Sequence, residues 1–155
     1  MGDLDVLEAW LGALLARLSP AARRNAIRDV ARHLRRSQQE RIAKQKNPDG
    51  STYAPRQARA ANGRRPSRTK RGRIKRAAMF KKLRTTRFLQ LEANERSFAI
   101  GFAGRVARLA RIHQFGEKSR VAPDGPEYRY PMRALLGFTN AEREMIRDRL
   151  LTHLK

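Results

Sequence analysis

The sequence predicts an α+β fold. Two N-terminal helices and a C-terminal helix pack with a small antiparallel β-sheet, a hairpin plus a short third strand, and a long basic arm is inserted between the halves. Three observations predict it. Apolar residues recur at three- and four-residue spacing at both ends of the chain. They alternate at period two around residues 98–102. A cationic stretch with almost no large apolar residue interrupts the middle. Runs of helix and strand without a repeating βαβ pattern place helices against an antiparallel sheet.

The first helix rests on Leu4, Leu7, Leu11, Leu14 and Leu18, with Trp10 and Leu15 widening the stripe. Ser19-Pro20 resets the chain, the serine as cap and the proline in the first turn. The second helix runs to about Lys44 with Ile27, Val30, Ala31, Leu34 and Ile42 inward. Arg23, Arg24, Arg28, Arg32, Arg35 and Arg36 stud its other face. Asn47-Pro48-Asp49-Gly50 ends it in a turn. Order is expected to resume near Ile74, with a short helix or turn at Met79, Phe80 and Leu83. Residues 87–92 and 96–102 read as a hairpin turning at Asn94-Glu95. A helix over about 106–115 follows, closed by Gly116 as a left-handed cap. Residues 117–127 form a loop, and Tyr128–Met132 is the third strand, at an edge because of Pro131. Thr139 or Asn140 caps the last helix, whose apolar side is Met145, Ile146, Leu150, Leu151 and Leu154. The whole is one domain, 1–155, made of a helical part (1–46), a basic extended arm (47–73) and an α+β part (74–155).

Charge is the main organisational feature. The formal net charge is +22 from 36 basic and 14 acidic residues. Residues 50–91 hold fourteen basic side chains and no acidic one, whereas each flank nets only +4. Up to about Arg73 this stretch has almost no large apolar residue apart from Tyr53 and cannot bury enough surface to order itself, so an extended or mobile arm is expected there. Its cationic residues are Arg56, Arg59, Arg64, Arg65, Arg68, Lys70, Arg71, Arg73, Lys75 and Arg76. Phosphate neutralisation and docking on an acidic protein surface both fit them, and few aromatics are near for base stacking.

Other chemistry is poorly supported. There is no cysteine, hence no disulfide, thiolate nucleophile or thiolate metal site. The acidic N-terminus does not read as a signal peptide, and Asp5, Glu8 and Arg17 break the apolar run 4–18, so no membrane contact is expected. Gly101-Phe102-Ala103-Gly104 matches a GxxG pattern but joins strand to helix, not helix to helix. His113 has no carboxylate or nucleophile in its local run and reads as structural. Asp49 and Asp124 sit in turns that lack the ligand series of a calcium loop. No catalytic residue, metal or cofactor is expected.

Several long blocks occur in a recognisable order. These are SPAARR (19–24), SQQERIAKQKNPDGSTYAPR (37–56), GRIKRAAMFKKLRTTRFL (72–89), GFAGRVARLARIHQFGE (101–117) and YRYPMRALLGF (128–138), followed by the charged terminal helix. In them the chain resembles the tail completion protein S family, also called the phage virion morphogenesis family, of contractile-tailed temperate bacteriophages. The resemblance implies a virion component, without catalytic residues, that completes the tail and makes it competent to join the filled head. It also implies a multi-copy ring at the head-proximal end, beside the tail terminator, tail tube and head–tail connector. Its place is the tail or neck of the virion, and the host cytoplasm during assembly. Closing a ring needs two different surfaces on each copy. The hairpin residues Phe88, Leu89, Leu91, Phe98, Ile100 and Phe102 are the candidate inter-subunit element, since open strand edges pair between chains. The competing class is a stand-alone basic nucleic-acid-binding protein, and a third is an enzyme such as a nuclease.

Overall fold

The computed structural model describes residues 2–56 and 78–155. Helix α1 spans Asp3–Leu15 and α2 Pro20–Ala43. Strands β1, Leu89–Ala93, and β2, Phe98–Phe102, form the expected hairpin. A 3-10 turn at Gly104–Val106 leads into α3, Ala107–Phe115. Strands β3, Lys118–Arg120, and β4, Glu127–Arg129, precede α4, Asn140–Thr152. The fold is α+β.

Local chemistry accounts for most of these boundaries. Ser19 Oγ accepts the Ala22 N–H at 3.3 Å, with Pro20 in the first turn, so α2 begins where its free N–H groups are capped. Thr139 and Glu142 form a reciprocal capping box for α4, the Glu142 N–H donating to Thr139 Oγ1 at 3.1 Å and the Thr139 N–H to Glu142 Oε2 at 2.8 Å. Gly116 closes α3 at φ 65°. In the hairpin turn, Asn94 Oδ1 accepts the N–H groups of Arg96 and Ser97, each at 2.8 Å.

Helix α2 is the spine. Its 24 residues run about 36 Å and join two apolar clusters. Near its start, Ala26, Val30 and Leu34 meet Ile146 and Leu150 of α4, with Leu11, Leu14, Leu15 and Leu18 and the hairpin's Phe98 and Ile100 against them. Near its end, Ile42 packs with Tyr53, Met79, Leu83, Ala110 and Leu135. Ile42 and Leu135 are wholly buried, and each such side chain stabilises the fold by about 2 kcal/mol.

Two expectations need correction. The third strand does not extend the hairpin; β4 pairs with β3 in a second two-stranded sheet, registered Lys118 with Arg129 and Arg120 with Glu127. The loop between them, turning at Ala122–Gly125, is short enough to bring its own ends together, so local closure wins over docking on β1 or β2. Of the short helix or turn expected at Met79–Leu83, the structure has turns, with Phe80 at φ 63°. The expected arm does not begin at residue 47. Residues 47–56 are folded onto the body, with Lys46 bridged to Thr52 and Tyr53 only 5% exposed. Residues 57–77 lie outside the described residues, and with them Arg59, Arg64, Arg65, Arg68, Lys70, Arg71, Arg73, Lys75 and Arg76.

Candidate assembly surface

The anchoring of the chain on either side of residues 57–77 is well defined. Tyr53 donates its hydroxyl to the Ala134 carbonyl at 3.2 Å, and burial pushes its pKa up to about 12, so it stays a donor. Arg133, 4% exposed, holds the next two carbonyls, Nε to Ala54 at 2.7 Å and Nη2 to Pro55 at 2.9 Å. The chain returns at Met79, where the Gln45 side-chain amide takes both backbone groups, accepting the Met79 N–H at 2.6 Å and donating to its carbonyl at 3.0 Å. Tyr53 and Met79 belong to one core cluster, so both anchors sit beside the same face of the body. Arg56 is half-buried, and its charge reaches Arg133. Lys81, Lys82 and Arg87 are exposed and continue the cationic surface onto the described chain.

Segment 133–138 crosses the middle of the molecule as irregular chain, and side chains do for it what a strand partner would do. Arg41, 8% exposed, donates to the carbonyls of Ala134 (3.3 Å), Leu135 (3.2 Å) and Gly137 (3.4 Å). Gln114 Oε1 accepts the N–H groups of Leu135 and Leu136 at 2.8 and 3.0 Å. Asn47 Oδ1 takes the Ala134 N–H at 2.8 Å. Glu142, 3% exposed, accepts from Ser37 at 2.7 Å and Gln38 at 3.0 Å, and its charge favours the cationic form of Arg41 against the burial that lowers the guanidinium's pKa.

His113 is buried in the body. It lies 3.1 Å from Arg133 Nη1 through Nδ1, between the rings of Phe80 and Tyr130. Burial, and then the Arg133 charge, press its pKa down to about 4. The other two histidines meet at a carboxylate that the sequence did not single out. Asp29 lies 3.2 Å from His33, from His153 and from Arg149, tying α2 to the end of α4. Burial would raise the Asp29 pKa, but hydrogen bonds from His153 and Arg149 outweigh it, and the carboxyl sits below its ordinary range. Asp49 is capped by Ser51 in its turn, at 2.9 Å to the backbone N–H. Among the described residues no cluster of three or more His, Asp or Glu side chains could hold a metal, and no helix is long and apolar enough to cross a membrane.

The hairpin side chains are turned to the body. Leu89 is wholly buried, Phe98 and Ile100 pack on the α2–α4 cluster, and Phe102 on the other. Phe88 and Leu91 are half-buried, and the Arg87 guanidinium lies 5.4 Å over the Phe88 ring. The strand edges differ. Asn94 N–H to Ser97 O and Ala103 N–H to Phe88 O, both 2.9 Å, mark the hydrogen-bonded pairs. By alternation, Leu91, Ala93, Phe98, Ile100 and Phe102 turn their backbone groups outward. The Leu89 N–H is taken by Thr85 at 2.9 Å. Among the described residues neither outer edge pairs with another strand.

Two apolar surfaces are also exposed. On α1, Val6 is 63% and Trp10 37% exposed. Beside α3 and β4, a pocket of about 400 Å³ is lined by Phe115, Tyr128, Arg129, Tyr130, Pro131 and Met132, with Phe115 66% and Met132 64% exposed. The period-three leucine stripe concealed the first surface, because it marks α1 as core along its whole length.

Comparison with known proteins agrees with the order of sequence blocks. The model of the phage virion morphogenesis family matches residues 3–155. Tail completion protein S of Escherichia phage P2 is 40% identical over 156 aligned positions, which cover 100% of this chain and 99% of that protein. No solved structure matches significantly.

Proposed function

We propose that this chain, which belongs to the phage virion morphogenesis family, is a structural tail-completion protein that assembles as a multi-copy ring at the head-proximal end of the tail and makes it competent to join the head. The observation that carries this reading is the 40% identity, along the full length of both chains, to a protein named for tail completion. The described surface supports it. Among the described residues the hairpin's edges pair with no further strand, and open edges are the means by which separate chains extend a sheet. Its role as an inter-subunit element therefore falls to backbone groups of Leu91, Ala93, Phe98, Ile100 and Phe102, not to their packed side chains. Neighbours in this reading are further copies, the tail terminator and tube, and the head–tail connector. The protein acts in the virion neck after assembly in the host cytoplasm, and as scaffold, not catalyst.

In a phage carrying this gene, removing it leaves filled heads and finished tails unattached in electron micrographs, and adding the protein back restores joined particles. Normal joining without the gene would overturn the reading. The acid-free stretch 50–91, with its fourteen cations, favours a second contact with packaged DNA. Affinity for random-sequence duplex then falls steeply with salt. Weak binding with a shallow salt slope would assign the same cations to acidic protein surfaces.

A further inference from the structure

Helix α1 is unlike the rest of this basic chain. It carries Asp3, Asp5 and Glu8 and no basic residue. Its contacts with the α2–α4 cluster begin at Leu11 and continue through Leu14 and Leu15. The two turns before that leave Val6 and Trp10 exposed on one flank, with Asp5 about 100° and Glu8 about 200° around the helix from Val6. Glu8 has no hydrogen bond or ion pair among the described residues.

The pocket beside α3 and β4 has the complementary chemistry. Its open walls combine aromatic and apolar side chains with about as much polar surface, with Arg129 the charged residue in the lining and no acid. Arg108 is exposed on the same face of α3 as Phe115, seven residues earlier. Neither Arg108 nor Arg129 has an ion pair among the described residues. Tyrosine, phenylalanine, methionine and arginine are the side chains enriched at protein interfaces, and a tryptophan is a frequent anchor in such pockets.

We propose that α1 of one copy docks on the α3–β4 pocket of a second copy. Val6 and Trp10 enter the pocket, and Asp5 at the rim of the contact meets Arg129. The two surfaces are different parts of the chain, so each copy presents one of each. Repetition of that contact is heterologous and generates a ring where the rotation closes. The inference rests on the self-assembly reading above and names the elements that perform it.

The absence of cysteine makes the contact directly testable. Val6→Cys in one preparation and Met132→Cys in another are mixed and oxidised, with Trp10→Cys and Phe115→Cys as a second pair and circular dichroism to confirm folding. The expected result is a cross-linked dimer from each mixture and none from a single variant alone. The double variant Val6→Cys/Met132→Cys gives a ladder of higher oligomers. A dimer from Val6→Cys alone would mean that α1 meets α1, and an internal cross-link that α1 reaches its own pocket; either overturns the proposal. Light scattering on the unmodified protein separates the two levels of failure. A monomer at every concentration removes self-assembly altogether. An oligomer that neither pair cross-links leaves the ring standing and removes α1 and the pocket as its contact.

Discussion

Segment 133–138 and helix α1 both lie against α2, but they are held by different means. The segment is irregular chain gripped by buried polar groups, with Arg41, Gln114 and Asn47 satisfying its backbone and Leu135 wholly buried. The helix satisfies its own backbone and, among the described side chains, packs on the α2–α4 cluster through Leu11, Leu14 and Leu15. The buried side-chain hydrogen bonds fix one geometry, because displacing the segment strands carbonyls and a guanidinium away from water. Leucine contacts do not set register so tightly, and Val6 and Trp10 near the front of α1 stay exposed. The crossing segment therefore makes the fold, whereas the helix has surface left over for a neighbour.

The largest effect expected from breaking this contrast is at Arg41. Arg41→Met removes the donor to three carbonyls, each costing about 1–3 kcal/mol to leave unmet, a loss of about 3 kcal/mol or more in urea unfolding. A loss below about 1 kcal/mol would mean that water already serves those carbonyls.

His113 gives a pH test of the same region. Its folded pKa of about 4 lies below the ordinary 6.5, so between these values the unfolded chain binds more protons. Stability is full above about pH 6.5 and falls as the pH drops toward 4, by up to about 3 kcal/mol for a shift of this size. His113→Phe removes this part of the pH dependence, and an unchanged profile would place the titration elsewhere.

Gly137 comes next in size. A Cβ there would lie 2.5 Å from Pro48 Cγ, where the crossing segment passes the 47–50 turn. Gly137→Ala destabilises by about 1–3 kcal/mol through overpacking, measured by thermal unfolding. The smallest effect is at α1. Val6→Ser changes the stability of the dilute protein by less than about 0.5 kcal/mol, since the side chain is largely exposed. A larger loss would show that the front of α1 is part of the core after all.

The sequence disclosed what is encoded locally. Ser19-Pro20, Thr139 with Glu142, Gly116 and Asn94 each act within a few residues, and each sets the boundary expected of it. The alternation of Phe98, Ile100 and Phe102 likewise found its buried face. The second sheet was missed because β3 and β4 have three residues each, too few for alternation to register. Arg41 and Arg133 were missed because charged residues are ordinarily exposed, and only the fold brings carbonyls to them. A trace of Arg41 was legible: Leu34, Gln38, Arg41 and Ile42 stand at i, i+4, i+7 and i+8, on the apolar stripe of α2. Asp29 and His33 are an i,i+4 pair on α2, but Arg149 and His153 reach the same carboxylate from 120 and 124 positions away, which no local pattern shows. The basic residues from Arg59 to Arg76 lie outside the described residues, and their role as a contact for DNA or acidic protein is a proposal from charge alone.

Trp10 is the single tryptophan of the chain, so its emission reports on the front of α1 alone. The measurement is the emission maximum of the unmodified protein over a concentration series, with light scattering on the same samples and Met132→Asp as the comparison. If α1 is the part of the molecule left over for assembly, emission moves to the blue as oligomers form. Met132→Asp, at a site 64% exposed in the single chain, then remains monomeric with unshifted emission and an unchanged unfolding midpoint at low concentration. Oligomers that form with no change in Trp10 emission would contradict the account.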